Sequence, residues 1–408
     1  MPTTHDVVVI GAGPGGLAAA AACQREGRRV VVLEKADAVG HAWRHHYDRL
    51  HLHTPARLSS LPGLRIPRRY GRWIGRQHVV DYLEQYARHH QIDVRTGVNV
   101  DRVDPGEGPT GRWVVRTSEG ELAAEHVVVA TGYNHTPAEP TWPGMEGFTG
   151  EVVHAKDYRN GAPYSGRAVL VVGIGNTGAE IATDLHEHGV AQVWIAVRTP
   201  PHILRRSSLG TSAQLKGILV RHLPTAVVDP VARLQAAIEV PDLTAHGLPR
   251  PAEGLYSRVK EGSIPIQDVG IIRDIRRGAV VPVPAIASFE GADVVLVDGR
   301  RLQPDVVLLA TGYRQGLEPL VGHLGVLGAD GRPVVHGAVS PAGAAGLWFT
   351  GFTNPISGMF RELAIDARRI AAAIADPGRA RRRRRSLAAG AVGVSAAAAT
   401  LVRARRRS

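Results

Sequence analysis

One cysteine, Cys23, is all that the 408 residues hold. An intramolecular disulfide is therefore excluded, and so is a C-x-x-C pair passing electrons. Cys23 falls in an Ala-rich stretch and reads as a small core residue. Long hydrophobic runs are also missing: nothing in the body of the chain reaches the roughly 18 consecutive apolar residues of a membrane-spanning helix. The first apolar run starts at Val7, which leaves no space for a signal peptide and predicts a cytoplasmic protein. Acidic residues vanish from residues 378–408, which carry ten arginines; without these only +2 of the +12 net charge remains. The basic character is a tail property and gives the folded part no reason to bind nucleic acid. The cluster His41, His45, His46, His51 and His53 lacks the carboxylates or thiolates that would complete a metal site. An apolar content of 44% is ordinary, and this length suffices for two domains with their own cores.

Glycine is what the chain has in plenty, and its placement is informative. Gly11-Ala12-Gly13-Pro14-Gly15-Gly16 leaves the apolar run Val7–Ile10, and Gly173-Ile174-Gly175-Asn176-Thr177-Gly178 leaves Val169–Val172. Both fit G-x-G-x-x-G between a strand and a helix, the arrangement that lays a pyrophosphate on a helix N-terminus. The ends of the following strands differ. Glu34 closes Val30–Leu33, where a carboxylate accepts hydrogen bonds from ribose hydroxyls. Arg198 closes Val193–Val197, where a cation suits a 2′-phosphate, or is simply a surface arginine. Two dinucleotides are expected, an unphosphorylated one first and a phosphorylated one second, which points to FAD and NADPH and to redox chemistry.

The pattern predicts an α/β fold of two Rossmann-like dinucleotide-binding domains, the NADPH domain inserted into the FAD domain. The expected division is 1–165 for the first part of the FAD domain, 166–304 for the insert, 305–376 for the return segment and 377–408 for a basic Ala-rich tail. A helix is expected near His78–His90, with Val79, Val80, Leu83 and Tyr86 on one face, and strands at Val94–Val100, Trp113–Thr117 and His126–Ala130. A closing helix is expected around Leu363–Ala375. Ala-Thr-Gly occurs at 130–132 and again at 310–312. Thr131, Gly132, Thr311 and Gly312 read as crossovers between domains, where small residues let backbone approach a nucleotide. In the tail, Leu387–Val402 would span roughly 24 Å as a helix, short of the roughly 30 Å hydrocarbon core. It reads as a solvated basic tail, or as a weak contact with anionic membrane lipid.

Between the fingerprints, Phe148, Gly150, His154 and Tyr158 fit F-x-G-x-x-x-H-x-x-x-Y, and with them the chain resembles the flavin-containing monooxygenases. Tyr158 separates it from the related Baeyer–Villiger enzymes, which have Trp there. The single cysteine separates it from the flavin disulfide reductases, which share the two nucleotide folds. The likeness narrows to the YUCCA-type branch, the indole-3-pyruvate monooxygenases, at Tyr47–Pro55, Asp81–Ala87, Gly254–Gly270 and Leu309–Tyr313, and covers about residues 5–375. His53 stands where many heteroatom-oxidising members have Asn.

This resemblance implies an NADPH- and O₂-consuming monooxygenase that works through a C4a-(hydro)peroxyflavin and decarboxylates a 2-oxo acid such as indole-3-pyruvate. Two other outcomes stay open: oxidation of N or S heteroatoms, and an NADPH-flavin reductase or oxidase that releases peroxide. In this reading Gly11, Gly13 and Gly16 cradle the FAD pyrophosphate, and Glu34 takes its ribose. Trp43 packs beside the flavin or serves as plain core. Gly173, Gly175, Gly178 and Arg198 hold NADPH, with Arg205 and Arg206 as further cations or as solvated side chains. The catalytic candidates are His53, toward flavin or NADP⁺, and Asn176, which either faces the flavin–nicotinamide junction or closes its own turn. His154 reads as a structural residue joining the domains, or as a catalytic group. No metal is expected, and the partners are a small-molecule substrate and O₂.

Overall fold

A computed structural model describes residues 4–107, 112–208, 211–220, 225–260 and 262–376; the tail from 377 lies outside the described residues. The N-terminal strand Thr4–Ile10 (β1) buries its apolar part, Val7 to Ile10, as suits the centre of a parallel sheet covered on both faces. Helix α1 (Pro14–Arg25) returns the chain to β2 (Val30–Glu34), which pairs in parallel with β1. Gly15, Gly16 and the run Ala18–Ala22 make most of α1's buried face, and these small residues let it pack closely against the last described helix. Cys23 is fully buried in this layer, and burial pushes its thiol up to about 12, so it stays protonated and inert.

After a short helix α2 (His41–His45) comes α3 (Arg76–His89), which buries Val79, Val80, Tyr82, Leu83 and Tyr86. Its tyrosines pin the preceding loop. The Tyr82 hydroxyl accepts from Leu61 N–H and donates to Leu64 O, each at 2.8 Å, and the Tyr86 hydroxyl donates to Pro62 O at 2.6 Å. The predicted strand Val94–Val100 is in fact two, β3 (Asp93–Thr96) and β4 (Val100–Pro105). Gly97 breaks the run at a φ of 75°, a left-handed value that glycine accepts without strain. β5 (Trp113–Thr117) and the long β6 (Gly120–Val129) complete a first sheet of order β3-β2-β1-β6-β5-β4.

A second parallel sheet follows. It contains β7 (Glu151–His154), β8 (Ala168–Val172), β9 (Gln192–Val197), β12 (Val280–Pro284) and β13 (Val306–Leu309), in the order β12-β9-β8-β13-β7. Helix α4 (Asn176–Glu187) connects β8 to β9. Strands β7 and β13 pair with each other in this sheet and lie on either side of the 166–304 segment in sequence. Between β9 and β12 the chain is built of short pieces, among them β10 (Ile203–Arg205), α5 (Ala213–Val220) and β11 (Ile266–Asp268), with β10 paired to β11. Strand β14 (Leu347–Phe349) returns to the first sheet beside β6, and α6 (Met359–Ala375) packs on α1. Near the crossovers, residues 136–137 and 313–314 form a two-stranded antiparallel ribbon. Among the described residues, no helix is long and apolar enough to cross a membrane.

Candidate active site at the two nucleotide folds

The two glycine loops are near-copies in three dimensions. Gly11 has a φ of 101° and Gly173 one of 103°. A Cβ on Gly11 would stand 2.7 Å from Ala130 O, and one on Gly173 would stand 2.7 Å from Ala310 O. A Cβ on Gly16 would meet Gly11 O at 1.9 Å, and one on Gly178 would meet Gly173 O at the same distance. Gly13 and Gly175 instead face open space, with nothing within 4 Å of a Cβ. Each is the N-cap of its helix, and neither helix has a side-chain cap, so first-turn N–H groups point outward. Such a cradle fits a pyrophosphate. The Ala-Thr-Gly turns complete the copy: Ala130 N–H donates to Ile10 O and Ala310 N–H to Val172 O, both at 2.9 Å.

Around the first loop, Glu34 is 8% exposed and its carboxylate is fixed by two backbone donors, Ala12 N–H at 2.7 Å and Ala36 N–H at 3.0 Å. Each oxygen keeps a lone pair for a hydroxyl, so the group fits a ribose. The Thr131 hydroxyl is buried beside this loop without a partner, as is that of Thr350 next to Gly15. Such orphaned polar atoms suit a site completed by a ligand. Trp43 lies on α2, partly buried, with its ring edge-on to Phe360 at 5.9 Å.

Around the second loop, Gly173, Arg198 and Thr311 line one cleft of about 640 Å³. Arg198 is exposed and forms no ion pair with a described residue, so its guanidinium is available to an anion in that cleft. Arg205 and Arg206 do not line it. The Thr311 hydroxyl donates to Ala138 O, and Gly312 O accepts from Ala138 N–H. The side chain of Asn176 clamps the incoming β11 strand: its Oδ1 accepts from Gln267 N–H at 2.8 Å, and its Nδ2 donates to Pro265 O at 3.3 Å.

His53 is brought to α4. Its Nε2 stands 2.9 Å from Oε1 of Glu180, and its buried Nδ1 has no partner. Glu180 is 3% exposed. The Tyr47 hydroxyl lies against Thr177 and Glu180 and is held protonated, by burial first and by the Glu180 charge second. One turn further along α4, Asp184 Oδ2 accepts from the Tyr158 hydroxyl at 2.5 Å and from Gly161 N–H at 2.9 Å. Asp184 Oδ1 faces Arg49 at 3.6 Å. Glu180 and Asp184, spaced i and i+4, thus share the face of α4 that grips residues 47–53. Sequence reasoning missed both, because a carboxylate pair on a helix looks like a solvated face. His154, at the end of β7, is buried with its ring edge-on to Tyr313 at 5.3 Å. Among the described residues, no three of His, Cys, Asp and Glu converge as a metal site.

Two glycine cradles, one backed by a carboxylate and one by an arginine, define a two-dinucleotide flavoprotein oxidoreductase. A family model of pyridine nucleotide-disulphide oxidoreductases matches residues 8–240. The probable indole-3-pyruvate monooxygenase YUCCA3 of Arabidopsis thaliana is 36% identical over 90% of this chain and 86% of its own length. The indole-3-pyruvate monooxygenase YUCCA1 of Oryza sativa subsp. japonica is 37% identical over 85% and 86%. Among solved structures, a flavin-containing monooxygenase from Stenotrophomonas maltophilia superposes with a TM-score of 0.70 at 26% identity, covering 91% of this chain and 99% of that one. The chain belongs to the flavin-containing monooxygenases, in the branch of the YUCCA-type indole-3-pyruvate monooxygenases. It is an enzyme that uses FAD and NADPH and takes O₂ and a small-molecule substrate.

Proposed function

We propose that this monooxygenase acts on a 2-oxo acid, with indole-3-pyruvate as the favoured substrate and oxidative decarboxylation as the reaction. The observation that carries this reading is identity of 36–37% to two indole-3-pyruvate monooxygenases over 85–90% of the chain. His53 in the loop gripped by α4 supports it. When bound, FAD supplies the oxygen-activating chemistry and NADPH the hydride.

The chain's own task is to hold two nucleotides, orient the substrate and keep water out. In this reading the residues around β1 and β2 form the FAD site: Gly11, Gly13 and Gly16 leave room for the pyrophosphate, and Glu34 accepts from the ribose hydroxyls. Trp43 and Phe360 wall the flavin side, and Thr131 and Gly132 close it. The inserted sheet forms the NADPH site, with Gly173, Gly175 and Gly178 on the pyrophosphate, Arg198 on the 2′-phosphate, and Thr311 and Gly312 at the crossover. Asn176 acts by anchoring Pro265–Gln267 over that nucleotide. His53, braced by Glu180, offers Nδ1 to flavin, NADP⁺ or substrate. Residence in the cytoplasm and weak contact of the tail with anionic lipid rest on the sequence alone.

The test is turnover of indole-3-pyruvate by purified protein with NADPH in air. Formation of indole-3-acetate and CO₂ in step with NADPH consumption is expected. Formation of an N- or S-oxide from amines or sulfides, with no CO₂ from the 2-oxo acid, would overturn the substrate reading. Stoichiometric peroxide with neither product would favour a plain oxidase.

A further inference from the structure

Arg206 follows β10, and its guanidinium lies 4.6 Å from the ring centroid of Trp73, over the indole face. It makes no hydrogen bond or ion pair with a described residue. Burial lowers its pKa; the Glu180 carboxylate is the charge that supports its protonated form, and Arg72, also stacked on Trp73 at 5.0 Å, opposes it. A partly buried guanidinium with five unused donors is unfavourable until an anion completes it. Arg206 does not line the cleft that holds Arg198.

Its neighbours lead to the junction of the two folds. Ala213 N–H donates to Arg206 O at 3.2 Å, and the adjacent Gln214 donates from Nε2 to Ser357 O at 2.7 Å. Gln214 is 3% exposed, and its Oε1 has no partner. A Cβ on Gly358, at the start of α6, would meet Gln214 Nε2 at 2.5 Å and the Thr54 methyl at 2.8 Å. Thr54 follows His53, whose Nδ1 is likewise buried and unpaired. Arg206, Gln214, Gly358 and the Glu180–His53 pair therefore form one arc that carries a cation, an aromatic face and two orphaned polar atoms.

We propose that Arg206 is the carboxylate anchor of the substrate site, pairing an aryl 2-oxo acid whose ring lies along the Trp73 side of this arc. The assignment rests on the 2-oxo acid reading above and goes beyond it by naming the recognising residue. A guanidinium matches a carboxylate with two parallel hydrogen bonds, and an indole offers a flat apolar wall. A neutral amine or sulfide has no anion to complete Arg206.

The test is calorimetric binding of indole-3-propionate, an unreactive carboxylate, to FAD-loaded protein without NADPH, for the native chain, Arg206→Lys and Arg206→Gln. Arg206→Gln should weaken binding by at least about tenfold, the effect of losing a charge-assisted hydrogen bond, with Arg206→Lys in between. The neutral indole-3-propanamide should bind all three alike, and FAD content and the KM for NADPH should not move. KM for indole-3-pyruvate should rise in parallel with the carboxylate dissociation constant. If Arg206→Gln binds indole-3-propionate within about twofold of the native chain, or weakens the amide equally, the assignment is overturned. If the native chain binds indole-3-propionate no better than the amide, it is overturned as well. A native chain that forms no indole-3-acetate from indole-3-pyruvate overturns the substrate reading itself, whereas an active native chain with an unchanged Arg206→Gln overturns Arg206 alone.

Discussion

Replacing Tyr158 by Phe removes a single hydroxyl, yet the structure gives that hydroxyl a large role. It donates at 2.5 Å to Asp184, a carboxylate only 5% exposed, and the tyrosine itself is 1% exposed. A hydrogen bond to a charged group contributes about 1.5–3 kcal/mol, so Tyr158→Phe should lower unfolding free energy by that amount. Asp184→Ala goes further. It leaves the Tyr158 hydroxyl and Gly161 N–H unpaired in the interior and deprives Arg49 of one of its two carboxylates, the other being Glu187 at 3.0 Å. Removing one partner of such a buried set costs about 3–5 kcal/mol. The double variant should fall short of the sum by about 1.5–3 kcal/mol, because both changes delete the same bond. Urea unfolding followed by far-ultraviolet circular dichroism and by flavin fluorescence reads all four corners of the cycle. Burial and the Asp184 contact also raise the Tyr158 pKa, so the bond should persist to strongly alkaline pH. An additive double variant, or a loss below about 0.5 kcal/mol for Tyr158→Phe, would refute the claim that this motif tyrosine holds α4 in place.

Gly178→Ala places a methyl 1.9 Å from Gly173 O, so the loop must move and NADPH affinity should collapse while FAD is retained; nucleotide titration against bound flavin checks both. Gly16→Ala, with the same 1.9 Å clash at Gly11 O, should instead yield protein purified without FAD. Arg198→Gln should raise KM for NADPH by about tenfold or more and leave KM for NADH nearly unchanged, since only the phosphorylated cofactor loses a partner. Burial pushes His46 and His126 down to about 4, so the unfolded chain takes up protons on these rings first as acid is added. Their contribution is intact above pH 6.5 and is lost as pH falls from 6.5 to about 4. Urea midpoints measured across that window should fall, and less steeply in a His46→Gln/His126→Gln variant.

The cofactor sites were legible because backbone geometry demands particular residues there. Only glycine fits at 11, 16, 173 and 178, and the charge at the end of each second strand, Glu34 or Arg198, is what the sequence offers for proposing a ribose at one site and a phosphate at the other. The helix ending at His89 was legible from its apolar spacing, whereas the run at 94–100 concealed a left-handed turn at Gly97. Glu180 and Asp184 were illegible for another reason: their partners Tyr47, Arg49, His53 and Tyr158 come from two earlier segments. A carboxylate pair at i and i+4 is the usual mark of a wet surface, and only the tertiary fold reveals it as a buried clasp. Arg206 likewise reads as one more solvated cation until the fold lays it on Trp73.

The ribbon of residues 136–137 and 313–314 has a mechanical consequence. Its pairing ties the two crossovers to each other, so neither connection can shift its backbone without breaking hydrogen bonds to the other.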